Sequence, residues 1–290
     1  MPGPVLIFGG LGQVGQALLA ARGVAEAHAL GREQVDISDA AAVVAIVDEL
    51  RPSAVVNCAV FQPVDLCEQQ PQSAFAVNAI AAGGVANVCA ERSIPLLHLS
   101  TDYVFGGDQH TPYAEDDRPR PLSAYAVSKL AGEQLVLAAS PAHRVVRTSA
   151  VFGRAAEGHG TLPFAVRMLA RARSGEPTKV VDDQIVSPTY APHLAQCVWQ
   201  LLWGEETGVF HVAGGGECSW YELARRVFEW AGRSELLAAT STAEFGAPAR
   251  RPAYSALDNR RLRQLGLDGL PSWEEGLATY LDTMRESASS

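Results

Sequence analysis

Tyr125 and Lys129 stand four residues apart in the run Tyr125-Ala126-Val127-Ser128-Lys129, a spacing that puts both side chains on one face of a helix. A phenol ordinarily titrates near pH ~10, and a neighbouring ammonium favours the phenolate and draws that value toward neutrality. A phenol tuned in this way gives its proton to a carbonyl oxygen while hydride arrives at the carbon. Ser100 and Thr101 close an apolar run upstream, where a hydroxyl could share the same oxygen. The chain has only two lysines, Lys129 and Lys179, against seven tyrosines, so abundance does not account for the pairing. Taken singly, Lys129 also reads as a solvated helix charge, and Ser100-Thr101 as a plain strand end.

A second cluster sits near the start. Gly9-Gly10-Leu11-Gly12-Gln13-Val14-Gly15 follows the apolar run Val5-Leu6-Ile7-Phe8 at once. Glycine serves where a chain turns sharply, where backbone must touch a pyrophosphate and where a helix packs closely on a strand. The helix that opens there presents free N–H groups and a positive dipole end to phosphate. Position after the first strand and before the first helix makes this a dinucleotide-binding loop, with a tight packing turn as the plain alternative. After the second strand, where NAD sites place an acid, the chain has Gly31-Arg32-Glu33. Arg32 is suited to the extra phosphate of NADP or to solvent. NADP(H) is therefore favoured, with NAD(H) open.

These residues need elements to hold them. The pattern predicts strands at 5–8, 27–30, 54–57, 95–100 and 144–147, alternating with helices at 12–21, 39–50, 72–92 and 123–139. Ser38 is the expected cap of the second helix, and Gly83-Gly84 marks close packing or a kink in the third. Several strands are continuous apolar runs, as expected of strands covered on both faces. The expectation is an α/β fold: a doubly wound parallel Rossmann sheet with a smaller C-terminal substrate-binding lobe. Residues 1–150 would form the nucleotide-binding domain. Residues 151–290 would form mainly the lobe, with about 187–215 returning to the sheet. Within that second part helices are expected at 161–173, 191–203, 220–231, 259–265 and 273–283, and strands at 179–181 and 208–213. Trp199 and Trp203 share a helix face and are expected in the core.

Composition narrows the function further. The chain has 290 residues and a net charge of -9, which argues against coating nucleic acid or an anionic membrane. No run approaches the ~18 consecutive apolar residues of a membrane span, and the N-terminus has no signal-peptide pattern. The cytoplasm is the expected location. The five cysteines are odd in number and lack a C-x-x-C, so they read as small core residues. The seven histidines show no metal-ligand spacing, and no metal is expected.

Larger motifs then bring a family into view. The strings Leu99-Ser100-Thr101-Asp102-Tyr103-Val104-Phe105, Pro112-Tyr113-Ala114-Glu115-Asp116, Tyr125 to Gln134, Arg147-Thr148-Ser149, Val181-Asp182-Asp183-Gln184 and Ala249-Arg250-Arg251-Pro252 run over most of the chain. With the glycine loop they resemble the extended short-chain dehydrogenase/reductases, and among them the dTDP-4-dehydrorhamnose reductase family. That resemblance implies NAD(P)H-dependent reduction of the 4-keto group of a 6-deoxy sugar on a nucleoside diphosphate. By the same resemblance Tyr125 is the proton donor, Lys129 lowers its pKa and holds the nicotinamide ribose, and Thr101 orients the keto oxygen. Gly12, Gln13 and Val14 meet the pyrophosphate, Asp36 and Ile37 flank the adenine, and Gly9, Gly15 and Arg32 complete the cofactor-binding set. Val60, Phe61 and Gln62 line the cofactor. Thr101, Asp102 and Ala150 face the substrate, and Arg250 with Arg251 lies either near its phosphates or in solvent.

The chain departs from the family pattern at several places. Ala150 stands where an aromatic Trp is common, Val60-Phe61-Gln62 replaces the usual loop, and Leu66 takes the place of a common Lys. Ala17 replaces an acid linked to a metal-bridged dimer in some members, so a homodimer remains an open expectation. Tyr103 stands where related dehydratases have an acid, which favours simple reduction. An epimerase or dehydratase of the same fold, and a non-catalytic NADP-binding regulatory subunit, are the competing readings.

Overall fold

The computed structural model describes residues 3–23, 26–154, 156, 162–267 and 269–289. Its first half alternates strand and helix: β1 (Val5–Phe8), α1 (Gln13–Ala21), β2 (Ala27–Leu30), α2 (Ala40–Leu50), β3 (Ala54–Asn57), α3 (Val64–Gln69), α4 (Pro71–Phe75), α5 (Ala82–Glu91), β4 (Leu96–Thr101), α6 (Ala124–Ala139) and β5 (Arg144–Thr148). The remainder comprises β6 (Val151–Phe152), α7 (Phe164–Ser174), β7 (Thr178–Val181), β8 (Ile185–Val186), β9 (Thr189–Tyr190), α8 (Ala191–Trp203), β10 (Gly208–His211), β11 (Cys218–Ser219), α9 (Trp220–Trp230), β12 (Leu237–Thr240), α10 (Thr242–Phe245), α11 (Arg260–Gln264) and α12 (Trp273–Ser289).

Six strands form one parallel sheet in the order β10-β5-β4-β3-β1-β2. The apolar strand runs explain why it is covered twice. Val5 and Ile7 pack with Leu18 of α1 and with Leu194, Val198 and Leu202 of α8. Their neighbours Leu6 and Phe8 face the other way, onto Val43 and Val47 of α2, Val85 of α5 and Val136 of α6. Alternation of side chains along a strand divides an unbroken apolar run between two helical layers. The strand order reverses between β1 and β3, the place where doubly wound sheets open a crevice. β10 returns from the second half of the chain to pair with β5. A separate apolar cluster joins Phe152, Met168, Leu169, Leu223, Phe228, Trp273 and Leu277 beyond the sheet.

Several local expectations change. Asp39, not Ser38, caps α2: its carboxylate accepts from the Ala41 and Ala42 amides. The long helical run is irregular at 76–81, where a π-helical stretch places Asn78 in the core, and not at Gly83-Gly84. Gly83 serves close packing instead, since a Cβ there would lie 2.9 Å from the Leu135 Cβ on α6. The run Pro71–Glu91 is long and apolar enough to cross a bilayer, but half of it is buried within this fold. Trp199 is in the core, donating from its indole to the Leu18 carbonyl at 3.1 Å. Trp203 is not, with 52% of its surface exposed at the helix end. Thr161, the expected start of a helix, lies outside the described residues; α7 follows Pro163.

Candidate active site

All strands of the sheet point the same way, so their carboxyl ends share one edge. A cleft of about 700 Å3 opens there. Its near wall is the glycine turn. Gly9 has a φ of +71°, and a Cβ on it would lie 2.6 Å from the Ala59 amide nitrogen. A Cβ on Gly15 would lie 2.5 Å from Gly10 Cα, so both glycines are required by the chain's own packing. Gly12 is different: the nearest atom to a Cβ there is 3.4 Å away, so what Gly12 keeps clear is the cleft. Gly12 is also the N-cap of α1, and no side chain caps that helix. Its first-turn N–H groups and positive dipole end therefore remain for an anion. The buried Oε1 of Gln13 has no hydrogen-bond partner among the described residues. Gly9, Gly12, Gln13, Val14 and Gly15 all line the cleft, and together they fit a dinucleotide pyrophosphate.

Two loops continue this wall. Arg32 and Asp36 line the cleft after β2, and Arg32 Nε donates to Asp36 Oδ2 at 3.0 Å. The Ser38 amide and Arg32 both donate to Asp36, outweighing its slight burial and holding the carboxyl below the usual range. Ile37 lies beside them. After β3, Val60, Phe61 and Gln62 form the next stretch. Asn78 clamps this loop: its Oδ1 accepts from the Phe61 amide at 2.8 Å, and its Nδ2 donates to Phe61 O and to Ser128 Oγ. Ser128 in turn donates to the Tyr125 carbonyl at 2.8 Å. The loop after β3 and the helix carrying Tyr125 are thus fixed by one buried amide.

The floor comes from β4 and α6. Alternation along β4 turns His98 and Ser100 toward α6 and Thr101 the other way, and Ser100 and Thr101 both line the cleft. Ser100 donates to Glu133 Oε1 at 2.5 Å, and Glu133 is gripped by Arg147 through both carboxylate oxygens, with closest approach 2.7 Å. Ser100 is therefore committed to a buried ion pair. Ser123 caps α6, accepting from the Ala126 amide, and this starts the helix in the phase that brings Tyr125 and Lys129 to the cleft. Burial pushes the Tyr125 phenol up, the neighbouring Thr101 hydroxyl opposes it, and the Asp102 charge adds to the rise. The expected lowering by Lys129 is not what acts here. Lys129 Nζ donates to the Leu99 carbonyl at 2.6 Å and lies 3.1 Å from His98 Nε2. Burial brings Lys129 itself down to about 8, with Glu133 and Cys58 opposing.

Asp102 faces the same cleft but is fully engaged. Its Oδ2 accepts from Ser149 at 2.9 Å and Ser255 at 2.6 Å, and its Oδ1 from Thr101 at 3.1 Å. Burial raises it to about 6 against these hydroxyls. It ties β4, the end of β5 and the C-terminal half together. Ala150 lines the cleft in the left-handed region, with a φ of +42°.

Arg250 is exposed and does not line the cleft. Arg251 is the less exposed of the two: it donates to both oxygens of Asp65, at 3.1 and 2.8 Å, and to the Ala249 carbonyl at 3.0 Å. Tyr103 stands edge-on to Tyr125, with ring centroids 6.2 Å apart. Tyr103 and Trp220 both line the cleft and were not named from sequence as site residues. The signal for Tyr103 was its place in the Thr101-Asp102-Tyr103 string. Trp220 opens α9 almost a hundred residues beyond Tyr125, and no local pattern marks it. Among the described residues, no group of three His, Cys, Asp or Glu side chains is placed to hold a metal ion.

Comparison with known proteins matches the chain to a family described as RmlD substrate binding domain over residues 3–286. It is 40% identical to a dTDP-4-dehydrorhamnose reductase of Mycobacterium tuberculosis, covering 98% of this chain and 94% of that one. It is 37% identical to a dTDP-4-keto-6-deoxy-D-glucose reductase of Streptomyces niveus, covering 94% of each. Among solved structures, a dTDP-4-dehydrorhamnose reductase of Bacillus anthracis in complex with NADP superposes with a TM-score of 0.92 at 35% identity, covering 98% of this chain and all of that one. A likeness of this extent, in sequence and in fold, means that the chain belongs to the RmlD family of dTDP-4-dehydrorhamnose reductases.

Proposed function

We propose that this chain is an NADPH-dependent reductase of the 4-keto group of a dTDP-linked 6-deoxy sugar, dTDP-4-dehydrorhamnose or a close analogue, acting in the cytoplasm. The observation that carries the reading is the convergence of Thr101, Tyr125 and Lys129 on the cleft floor, Lys129 one helical turn from Tyr125, with an uncapped helix N-terminus on the facing wall. Bound NADPH supplies the hydride. Arg32 answers the adenosine 2′-phosphate as an exposed guanidinium already aligned by Asp36.

The remaining work belongs to side chains. Burial keeps the Tyr125 phenol protonated near neutral pH, which is the form that donates to a developing alkoxide. Thr101 orients the carbonyl oxygen, and its hydroxyl stays beside the phenolate left after proton transfer. Lys129 adds positive charge to the same floor. Sugar contacts come from Asp102, Ala150 and Thr101 on the sheet side and from the part of the chain beyond residue 150, which serves as the substrate lobe. Tyr103, packed against Tyr125, supplies no carboxylate at the place where elimination chemistry would use one, and Asp102 is occupied by three hydroxyls.

Purified protein mixed with NADPH and dTDP-4-keto-6-deoxy-mannose should oxidise the cofactor in step with substrate. Absence of turnover with every keto sugar nucleotide tried would overturn the assignment. Tyr125→Phe should cost about 10²–10⁴-fold in kcat with NADPH binding retained. An active Tyr125→Phe protein would remove the phenol from its role.

A further inference from the structure

We propose that His98 is a positioning residue for Lys129: its neutral imidazole and the Leu99 carbonyl hold two of the three ammonium N–H groups, so that the third is aimed into the cleft. The proposal rests on the reductase reading for what the aimed N–H serves, but its geometry stands without it.

His98 and Ser100 lie on the face of β4 that α6 covers, and they meet Lys129 and Glu133, one helical turn apart. His98 is fully buried and Lys129 is 2% exposed, so solvent does not compete for the contact between them. An ammonium has donors only. Where it lies 3.1 Å from His98 Nε2, that nitrogen must be the acceptor, and the imidazole proton is on Nδ1. Nδ1 is buried and has no hydrogen-bond partner among the described residues. A partnerless buried N–H is costly, and the arrangement makes physical sense if the acceptor at Nε2 is what the site requires.

The neighbours of Lys129 do not supply that acceptor. Glu133 lies a turn further along α6 and is taken by Arg147 and Ser100. Cys58, after β3, is held as a neutral thiol by burial, and Tyr125 is a protonated phenol. Burial with the Lys129 charge keeps His98 itself well below its ordinary range, hence neutral. His98 and the Leu99 carbonyl thus counter the burial that weakens the Lys129 charge.

Having only two lysines makes the test direct. Lysine labelled at the side chain gives two NMR signals; Lys179 is exposed and is assigned by Lys179→Arg. In the unaltered protein, 15N shifts should show His98 protonated on Nδ1 and bare at Nε2; a proton on Nε2, or an imidazolium, would overturn the proposal without any variant. In His98→Leu the Lys129 titration should move down by about one pH unit, the weight of one lost acceptor, and the alkaline limb of kcat should move with it while KM changes little. His98→Gln, which returns an amide oxygen near the Nε2 position, should restore most of both. A Lys129 titration equal in all three proteins, or equal damage in Leu and Gln variants, would reduce His98 to packing. Because the titrations are read without substrate, failure of the reductase assignment would leave them intact.

Discussion

Arg147 and Arg32 each hold a carboxylate, one beneath the cleft and one at its mouth, and the two pairs behave as different materials. The Arg147–Glu133 pair is 4% and 0% exposed and takes in Ser100 as a third member. The Arg32–Asp36 pair is 78% and 35% exposed and sits at a similar distance. A buried pair recovers its desolvation only through complete hydrogen bonding, so removing one partner strands the other. An exposed pair gains little because water competes for both ends. The floor of the cleft is therefore a rigid charged framework under β4 and α6, and the rim is a set of replaceable contacts that act on what binds.

Breaking the framework should have the largest effect. Glu133→Gln leaves the Arg147 charge buried without a counter-ion and should cost about 3–5 kcal/mol, read from urea unfolding. Replacing both partners by apolar residues of similar volume should recover much of that loss. A small loss in the single variant would mean that the framework is not what holds the floor. Next come the adjacent hydroxyls. Thr101→Val should lower kcat by about 10²-fold, and should also cost about 1–3 kcal/mol of stability because the buried hydroxyl donates to Asp102 and accepts from the Tyr103 amide. Ser100→Ala should cost a similar amount of stability, about 1–3 kcal/mol, while sparing kcat. Equal kinetic damage at the two positions would erase the distinction drawn from strand phase.

Asp102 gives a smaller effect with a defined sign. Its folded value of about 6 lies above the ordinary 3.8 of a free aspartate, so the folded protein binds the extra proton between those values. Stability from this group is present at low pH and is lost as pH rises from about 4 through about 6. Asp102→Asn should flatten that fall, seen as a smaller difference between unfolding midpoints at pH ~5 and ~7.5 than in the unaltered protein. A steeper fall in the variant would contradict the buried-acid assignment. At the rim, Arg32→Ala should change unfolding by less than about 1 kcal/mol while raising KM for NADPH about tenfold relative to NADH. Arg250→Ala, outside the cleft, should leave both constants near their original values.

The α/β alternation, the glycine turn and the shared face of Tyr125 and Lys129 were legible because each depends on residues within one turn or one strand of each other. Periodicity and local conformational need are written in neighbouring residue types. The choice of Thr101 over Ser100 depends on which way β4 turns when α6 lies on it, and two adjacent hydroxyls carry no mark of that. The same holds for Arg251 over Arg250, since the partner, Asp65, is 186 residues away.

The order of residue types alone determined that this protein would be a parallel, two-faced sheet with a dinucleotide turn at its first strand and a phenol–amine pair on a later helix. Which hydroxyl is tied into the buried ion pair, where the Lys129 ammonium points, and that Asp102 and Trp220 line one site were decided only by tertiary structure. The reason is that local steric preference sets strand and helix, whereas burial, desolvation and hydrogen-bond partners are properties of groups brought together from distant parts of the chain.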